Sequence, residues 1–185
     1  MREFIAKPTV IGAVGPSSEH LARAMVDGLD LKSARAVLEY GPGTGSVTDY
    51  IRRGIAPHTK LAVIEVNPRM AALFRKRHPD VALFQDTVAN VRTICDSAGM
   101  ETVDCIVSGL PWSAFSERLQ VKLLDEMMRV LRPGSRFVTF AYIHGLALPP
   151  GKRFASLLQQ YFQTVSKSPV VWRNVPPALV YRCLR

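Results

Sequence analysis

The sequence predicts an α/β protein built on a doubly wound parallel sheet that closes with an antiparallel edge. Three observations carry this. Short β-branched runs alternate with helical patterns five times along the chain. Those runs are mostly apolar throughout, as strands buried on both faces are. The last third then changes character, to two extended stretches joined by a turn-forming segment. The 185 residues are 48% hydrophobic and 21% charged, enough for one domain over the whole chain with a core of its own. No repeat, low-complexity tract or long linker divides them.

The elements follow in order. Ser17 or Ser18 can cap a helix through Leu21, Ala24, Met25 and Leu29. Strands are expected at 36–40, 61–66, 81–84, 103–108 and 136–141. Asn67 followed by Pro68 starts a helix, with an N-cap and a proline in its first turn; it ends near His78-Pro79. Leu119, Leu123, Leu124, Met127, Met128 and Leu131 form an apolar stripe that predicts a helix over 116–131. Pro133-Gly134 stops it and turns the chain into the fifth strand. Residues 163–171 and 178–184 are extended, and Trp172-Arg173-Asn174-Val175-Pro176-Pro177 between them reads as a hairpin connection.

Composition narrows the function. Cys95, Cys105 and Cys183 are odd in number and form no C-x-x-C pair, which speaks against a disulfide framework or a structural zinc site, and for a reducing compartment. No apolar run reaches the roughly 18 residues of a membrane span, and the first residues lack the apolar stretch of a signal peptide. A soluble cytoplasmic protein is expected, with no metal. The chain carries 24 Lys and Arg against 15 Asp and Glu. The last acid is Glu126, so residues 1–126 are neutral and the whole surplus lies in Arg129, Arg132, Arg136, Lys152, Arg153, Lys167, Arg173, Arg182 and Arg185. Such a region suits a polyanion, whether nucleic acid, anionic membrane or phosphorylated substrate, or is a merely soluble basic face.

The stretch richest in chemistry is Val37-Leu38-Glu39-Tyr40-Gly41-Pro42-Gly43-Thr44-Gly45-Ser46-Val47. A buried strand enters three glycines and then a helix, which lets backbone approach a ligand and presents amide hydrogens to it. The spacing is not that of the G-x-G-x-x-G dinucleotide fingerprint. Glu65 follows Gly45 by 20 residues at the end of the second strand, where an acid can accept from both ribose hydroxyls. Asp86 lies just past the third strand, placed either to meet an adenine amino group or to cap a helix from residue 87. Glu39, unless paired with something such as an ammonium group, is a costly buried charge.

These residues, together with Ser108-Gly109-Leu110-Pro111-Trp112 after the fourth strand, resemble the class I S-adenosylmethionine-dependent methyltransferases over nearly the whole chain. The resemblance implies a Rossmann-like sheet of seven strands, with S-adenosyl-L-methionine across the ends of the first four and S-adenosyl-L-homocysteine as product. It implies a cofactor set of Ser17, Ser18, Glu39, Tyr40, Gly41, Pro42, Gly43, Thr44, Gly45, Glu65, Val66, Asp86, Thr87 and Ser108.

Within that class two subfamilies share features with the chain. Leu110-Pro111-Trp112 resembles the Leu-Pro-aromatic part of the rRNA adenine dimethyltransferase motif, but Gly109 replaces its asparagine and removes the side-chain acceptor for an adenine amine. The N-terminal stretch through Pro16-Ser17-Ser18 and the segment Val107-Ser108-Gly109-Leu110-Pro111 are similar to the soluble-type bacterial phospholipid N-methyltransferases. That likeness implies methylation of phosphatidylethanolamine toward phosphatidylcholine, at the inner face of an anionic membrane. Residues 1–30 are then an N-terminal helical segment, amphiphilic through Arg2, Phe4, Ile5, Lys7, Val10 and Ile11, that lies at the headgroup boundary or covers the substrate pocket. The Ser108 and Gly109 carbonyls are expected to orient the amine, with Leu110 and Pro111 shaping the loop. Trp112 and Tyr142 are expected to offer aromatic faces to a growing methylammonium. His144 is a candidate proton acceptor or phosphate contact; Lys152 and Arg153 are candidates for the phosphate or ordinary surface residues. RNA adenine, a small molecule, or a non-catalytic binding role are the alternatives.

Overall fold

Strands β1 (Ala36–Tyr40), β2 (Lys60–Ile64), β3 (Ala82–Phe84), β4 (Val103–Ser108), β5 (Leu131–Tyr142), β6 (Thr164–Lys167) and β7 (Ala178–Leu184) join in one sheet, ordered β3-β2-β1-β4-β5-β7-β6. The first five pair in parallel, and β7 lies antiparallel between β5 and β6. This computed structural model describes residues 17–185; the lid or membrane role expected of the first sixteen residues lies outside them. The strand order runs outward from β1 one way and from β4 the other. The crevice beyond the carboxyl ends of β1 and β4 is therefore the switch point at which sheets of this type bind ligands.

Helices cover both faces. Alternate residues of β1 explain how: Ala36, Leu38 and Tyr40 face one core and Val37 the other. The first core is closed by α4 (Val91–Ser97), α5 (Glu117–Met128) and α7 (Pro149–Tyr161), through Ile94, Leu124, Met127, Phe154 and Leu158. The second is closed by α1 (Glu19–Val26) and α2 (Thr48–Gly54), through Leu21, Met25 and Ile51. Helix α3 (Pro68–Arg77) buries Ala71 and Phe74, and a short α6 (Ile143–Leu146) follows β5.

The expected caps form. The Asn67 side chain accepts from the amides of Arg69 and Met70, Pro68 sits in the first turn, and α3 ends at His78. Ser18 rather than Ser17 caps α1, accepting from the Leu21 amide at 3.2 Å. Several boundaries differ from expectation: β2 stops at Ile64 rather than 66, and α1 at Val26 rather than Leu29. Helix α5 stops at Met128 and β5 already pairs at Leu131 with Val103, then shifts register before Arg136 pairs with Cys105. Asp104 occupies that irregularity, accepting from the Arg35 and Ala36 amides and from the Arg132 guanidinium. The stretch expected over 163–171 ends as a strand at Lys167, with only a bridge from Val171 to Ala178 beyond it.

Much of the terminal basic surplus is internal fastening. Arg182 donates to the carbonyls of Ala24 and Asp27 at the end of α1, and Arg185 to Met128 at the end of α5, favourable places for cations. Arg129, Arg132 and Arg153 pair with Glu126, Asp104 and Glu117. All three cysteines are buried and free.

Candidate active site

At the switch point the loops that follow β1 and β4 meet backbone to backbone. The Gly109 amide donates to the Tyr40 carbonyl at 2.7 Å. A Cβ on Gly109 would stand 2.6 Å from the Gly41 carbonyl oxygen, and one on Gly41 would stand 2.9 Å from the Leu110 side chain. Gly41, Gly43 and Gly45 all adopt positive φ, at 62°, 56° and 86°, where side chains are strained. A Cβ on Gly45 would also collide with the buried His78 ring, 2.3 Å from Nε2. The first loop is thus shaped by glycine on both sides, into a cradle directly ahead of α2.

The acids converge on this cradle. Glu65 is 7% exposed; its Oε2 accepts from the Gly43 amide at 3.2 Å and its Oε1 from the Asn67 amide at 2.8 Å. Burial raises its pKa, against those amide bonds. Val66 beside it is an exposed apolar side chain at the rim. Glu39, on the same strand face as Val37, is buried; its Oε2 accepts from the Thr48 hydroxyl at 2.6 Å, and Oε1 takes no hydrogen bond from the described residues. Burial pushes its carboxyl up to about 8, with the like charges of Asp49 and Glu65 adding to it and the Thr48 bond opposing.

Asp86 stands past β3 but does not cap the following 3-10 turn. Thr87 does so, accepting from the Ala89 amide, while Asp86 accepts from the Thr87 amide and the Asn90 side chain. Tyr40 contributes only backbone here, because its side chain is buried in the core. Pro42 and Thr44 belong to the cradle itself, and the Thr44 carbonyl accepts from Arg77. Ser18 is occupied as a helix cap, and among the described residues no hydrogen bond joins Ser17 to the cradle.

The β4 side is rearranged relative to expectation. Trp112 is 1% exposed, stacked on Phe154 at 4.9 Å and edge-on to Phe137. Both ring faces lie in the core, so it offers none to a substrate. Its indole donates to the Ser108 hydroxyl at 3.0 Å, and its carbonyl accepts from the buried Gln120 amide at 2.7 Å. Trp112 is a positioning residue for the loop. The Ser108 carbonyl already accepts from Thr139 at 3.0 Å, whereas that of Gly109 accepts nothing from the described residues. Tyr142 is half-buried at the end of β5, and its ring stacks on exposed His144 at 5.6 Å. Burial raises the Tyr142 hydroxyl pKa, which keeps it protonated.

Thr48, Gln120 and Thr139 are site residues that sequence patterns do not single out. Only the strand register, with Ser108 beside Thr139, or the packing of α2 on β1 reveals them. A separate recess of about 880 Å³, lined by Arg35, Lys60, Asp104 and Arg132, lies at the opposite, amino end of the strands.

A family model described as a methyltransferase domain matches residues 37–134, from the first strand to the turn within the fifth. The chain belongs to the class I S-adenosylmethionine-dependent methyltransferases. The ornithine lipid N-methyltransferase of Singulisphaera acidiphila is 32% identical to this methyltransferase over 184 residues, 98% of this chain and 92% of that protein. The ribosomal RNA small subunit methyltransferase A of a Hydrogenobaculum species is 25% identical over 129 residues, 66% of this chain and 48% of that protein. In fold, it is similar to an O-methyltransferase from Streptomyces achromogenes solved with S-adenosylmethionine, with a TM-score of 0.68 at 17% identity, covering 99% of this chain and 85% of that one. The methyl donor is S-adenosyl-L-methionine. The glycine cradle, the carboxylate at its rim and the buried Glu39 with one oxygen unused fit a ligand that carries a hydroxylated sugar and an ammonium group.

Gly45→Ala tests the cradle. The added methyl meets both a positive φ and a fixed ring, so the variant is expected to lose about 1–3 kcal/mol of stability in urea unfolding and to bind S-adenosylmethionine more weakly by calorimetry. Wild-type values in both would mean that the loop has room the geometry denies.

Proposed function

We propose that this methyltransferase transfers methyl groups to the amine of a membrane lipid headgroup, phosphatidylethanolamine and its methylated derivatives first, toward phosphatidylcholine. The observation that carries the lipid reading is the end-to-end relation to an ornithine lipid N-methyltransferase. Gly109 supports it from the site, since an adenine base finds no side-chain amide there, and the rRNA relative named above is matched over only half its length. No helix among the described residues is long and apolar enough to cross a membrane. We place it peripherally, on the inner face of an anionic membrane.

In this reading Gly41 to Gly45 hold the methionine part of the donor, Glu39 its ammonium, Glu65 with Val66 the ribose side and Asp86 with Thr87 the adenine. Bound there, the donor supplies an activated sulfonium methyl for in-line displacement. The protein's own task is to position a neutral amine and exclude water. The free Gly109 carbonyl accepts from the amine, in a loop fixed by the Ser108–Trp112 and Gln120–Trp112 bonds. Tyr142 supplies the aromatic face that tolerates successive methylation, because cation–π attraction needs no N–H on the substrate. A half-buried setting lowers the amine's pKa and favours its neutral form, and exposed His144 beside Tyr142 is placed to receive the proton or meet the headgroup phosphate.

Radiolabelled methyl from S-adenosylmethionine is expected in the lipid fraction of anionic vesicles containing phosphatidylethanolamine. Parallel vesicles with ornithine lipid separate the two headgroups, and label in neither lipid, with donor binding intact, would overturn the lipid reading.

Tyr142→Ala is expected to reduce lipid methylation by up to about tenfold, the scale of one partly desolvated cation–π contact. The loss should be larger for the dimethylated acceptor than for the unmethylated one, with donor affinity unchanged. Equal losses on all acceptors would remove the aromatic-face role.

Glu39 gives a pH signature. With its carboxyl near 8 in the free protein, it is mostly protonated at pH 7, and an ammonium ligand favours the ionised form. Donor binding at pH 7 should therefore release protons, seen as a buffer-dependent binding enthalpy. Affinity should rise with pH until about pH 8 and fall above it, as the donor's own α-ammonium, with an ordinary pKa of about 7.7–8.0, loses its proton. Glu39→Gln should bind more weakly and lose both effects.

A further inference from the structure

Of the large apolar side chains exposed among the described residues, the three most exposed are Leu148 at 53%, Trp172 at 69% and Val175 at 85%. All three lie at one end of the sheet. Leu148 follows the end of β5, and Trp172 and Val175 precede the start of β7; those strands meet where Tyr142 pairs with Ala178. This is the carboxyl end of the parallel strands, the end at which the glycine cradle and Gly109 open.

The loop that carries Trp172 and Val175 is firmly built. The Val171 amide donates to the Ala178 carbonyl at 2.7 Å and the Asn174 amide to the Val171 carbonyl at 3.2 Å. Asn174 is only 3% exposed; its Oδ1 accepts from the Ser18 amide at 3.0 Å and its Nδ2 donates to the Pro176 carbonyl at 2.7 Å. The Pro177 carbonyl accepts from the Ile143 amide at 3.0 Å. A polar residue thus turns inward to fasten the turn, while its apolar neighbours on both sides face out. Exposed turns ordinarily show the reverse order.

Charge points to the occupant. Arg173 stands between the two apolar side chains, and Lys152 lies one helical turn from Leu148 and makes no ion pair among the described residues. No acid follows Glu126 in the chain, and Glu19, next to His20 that contacts Arg173, is engaged by Tyr50. Three apolar side chains are also far fewer than the 20–30 residues a side of a stable protein interface. An indole with adjacent cations is instead the composition that settles at a headgroup boundary.

We infer that residues 172–175 form a tip that inserts into the headgroup region of an anionic lipid surface, with Leu148 and Lys152 as a second contact. This rests on the lipid reading above and names the surface through which the site faces its substrate. Held this way, the carboxyl end of the sheet lies against the membrane, and a headgroup reaches Gly109 without its acyl chains leaving the bilayer.

The chain's two tryptophans make the test direct, because Trp112 is buried and Trp172 exposed. Equimolar phosphatidylglycerol and phosphatidylcholine vesicles should shift the emission of the full chain to the blue, and brominated acyl chains should quench it. Trp172→Phe should abolish both responses. Val175→Asp should weaken sedimentation with these vesicles about tenfold, the scale of placing a charge at an apolar contact of this depth. It should leave donor affinity and methylation of a short-chain monomeric lipid unchanged. Failure to sediment, vesicle binding with unmoved Trp172 emission, or wild-type binding by Val175→Asp would each overturn the inference. So would a dimer that Val175→Asp dissociates, which assigns the tip to a second copy. Docking through Trp172 without label in any lipid would keep the tip and remove the proposed substrate, so the two failures are distinguishable.

Discussion

The hydrogen bond from the Gly109 amide to the Tyr40 carbonyl is the contact on which the site depends. It joins the loop after β1 to the loop after β4 at the point where the sheet's connections diverge. It forms only because neither backbone carries a side chain where they cross. Parallel strand order puts the two loops side by side, but order alone leaves them a side chain's width apart. Glycine at 41 and 109 removes that width, so the glycine cradle and the loop after β4 become one surface. The supports around it have the same purpose. Thr139 holds the Ser108 carbonyl, Trp112 holds its hydroxyl and Gln120 holds the turn beyond. Each is buried, where an unmade hydrogen bond costs most, and together they fix one loop geometry.

Most of the architecture is legible in the sequence because its signals are local. Buried parallel strands announce themselves as β-branched runs, Asn67-Pro68 marks a helix start, and three glycines before a helix mark a ligand loop. Glu65 and Asp86 are readable by their position after strands. What the sequence hides is direction. Trp112 follows the fourth strand as a substrate-facing aromatic does, yet its ring turns inward because Phe154 of α7, 42 residues later, offers it a stacking partner in the core. Nothing local encodes that choice. The same holds for Thr48, whose service to Glu39 depends on α2 folding back over β1. Strand boundaries at Leu131 escape notice for another reason, since Pro133-Gly134 reads as a terminator although Asp104 holds Arg132 before it and the Val103 carbonyl holds Ser135 after it.

Charge shows a comparable division. A run of 59 residues without an acid invites a single explanation, but the folded chain divides its cations by position. Arg182 and Arg185 close helix ends, Arg129, Arg132 and Arg153 neutralise acids from the first two thirds, and only a few, Lys152 among them, remain for a partner. The asymmetry is in part a record of how the C-terminal strands stitch earlier elements together. Net charge therefore overstates the polyanion surface, while its few remaining cations gain weight from standing beside exposed apolar side chains.

The crossing at Gly109 also bears on how such an enzyme could change its acceptor during evolution. An asparagine there would supply the amide that a base-reading site uses. Its Cβ, however, meets the Gly41 carbonyl at 2.6 Å, so the donor loop would have to retreat before the new side chain could serve. Gaining a side-chain acceptor at this position is then a coupled, two-loop event.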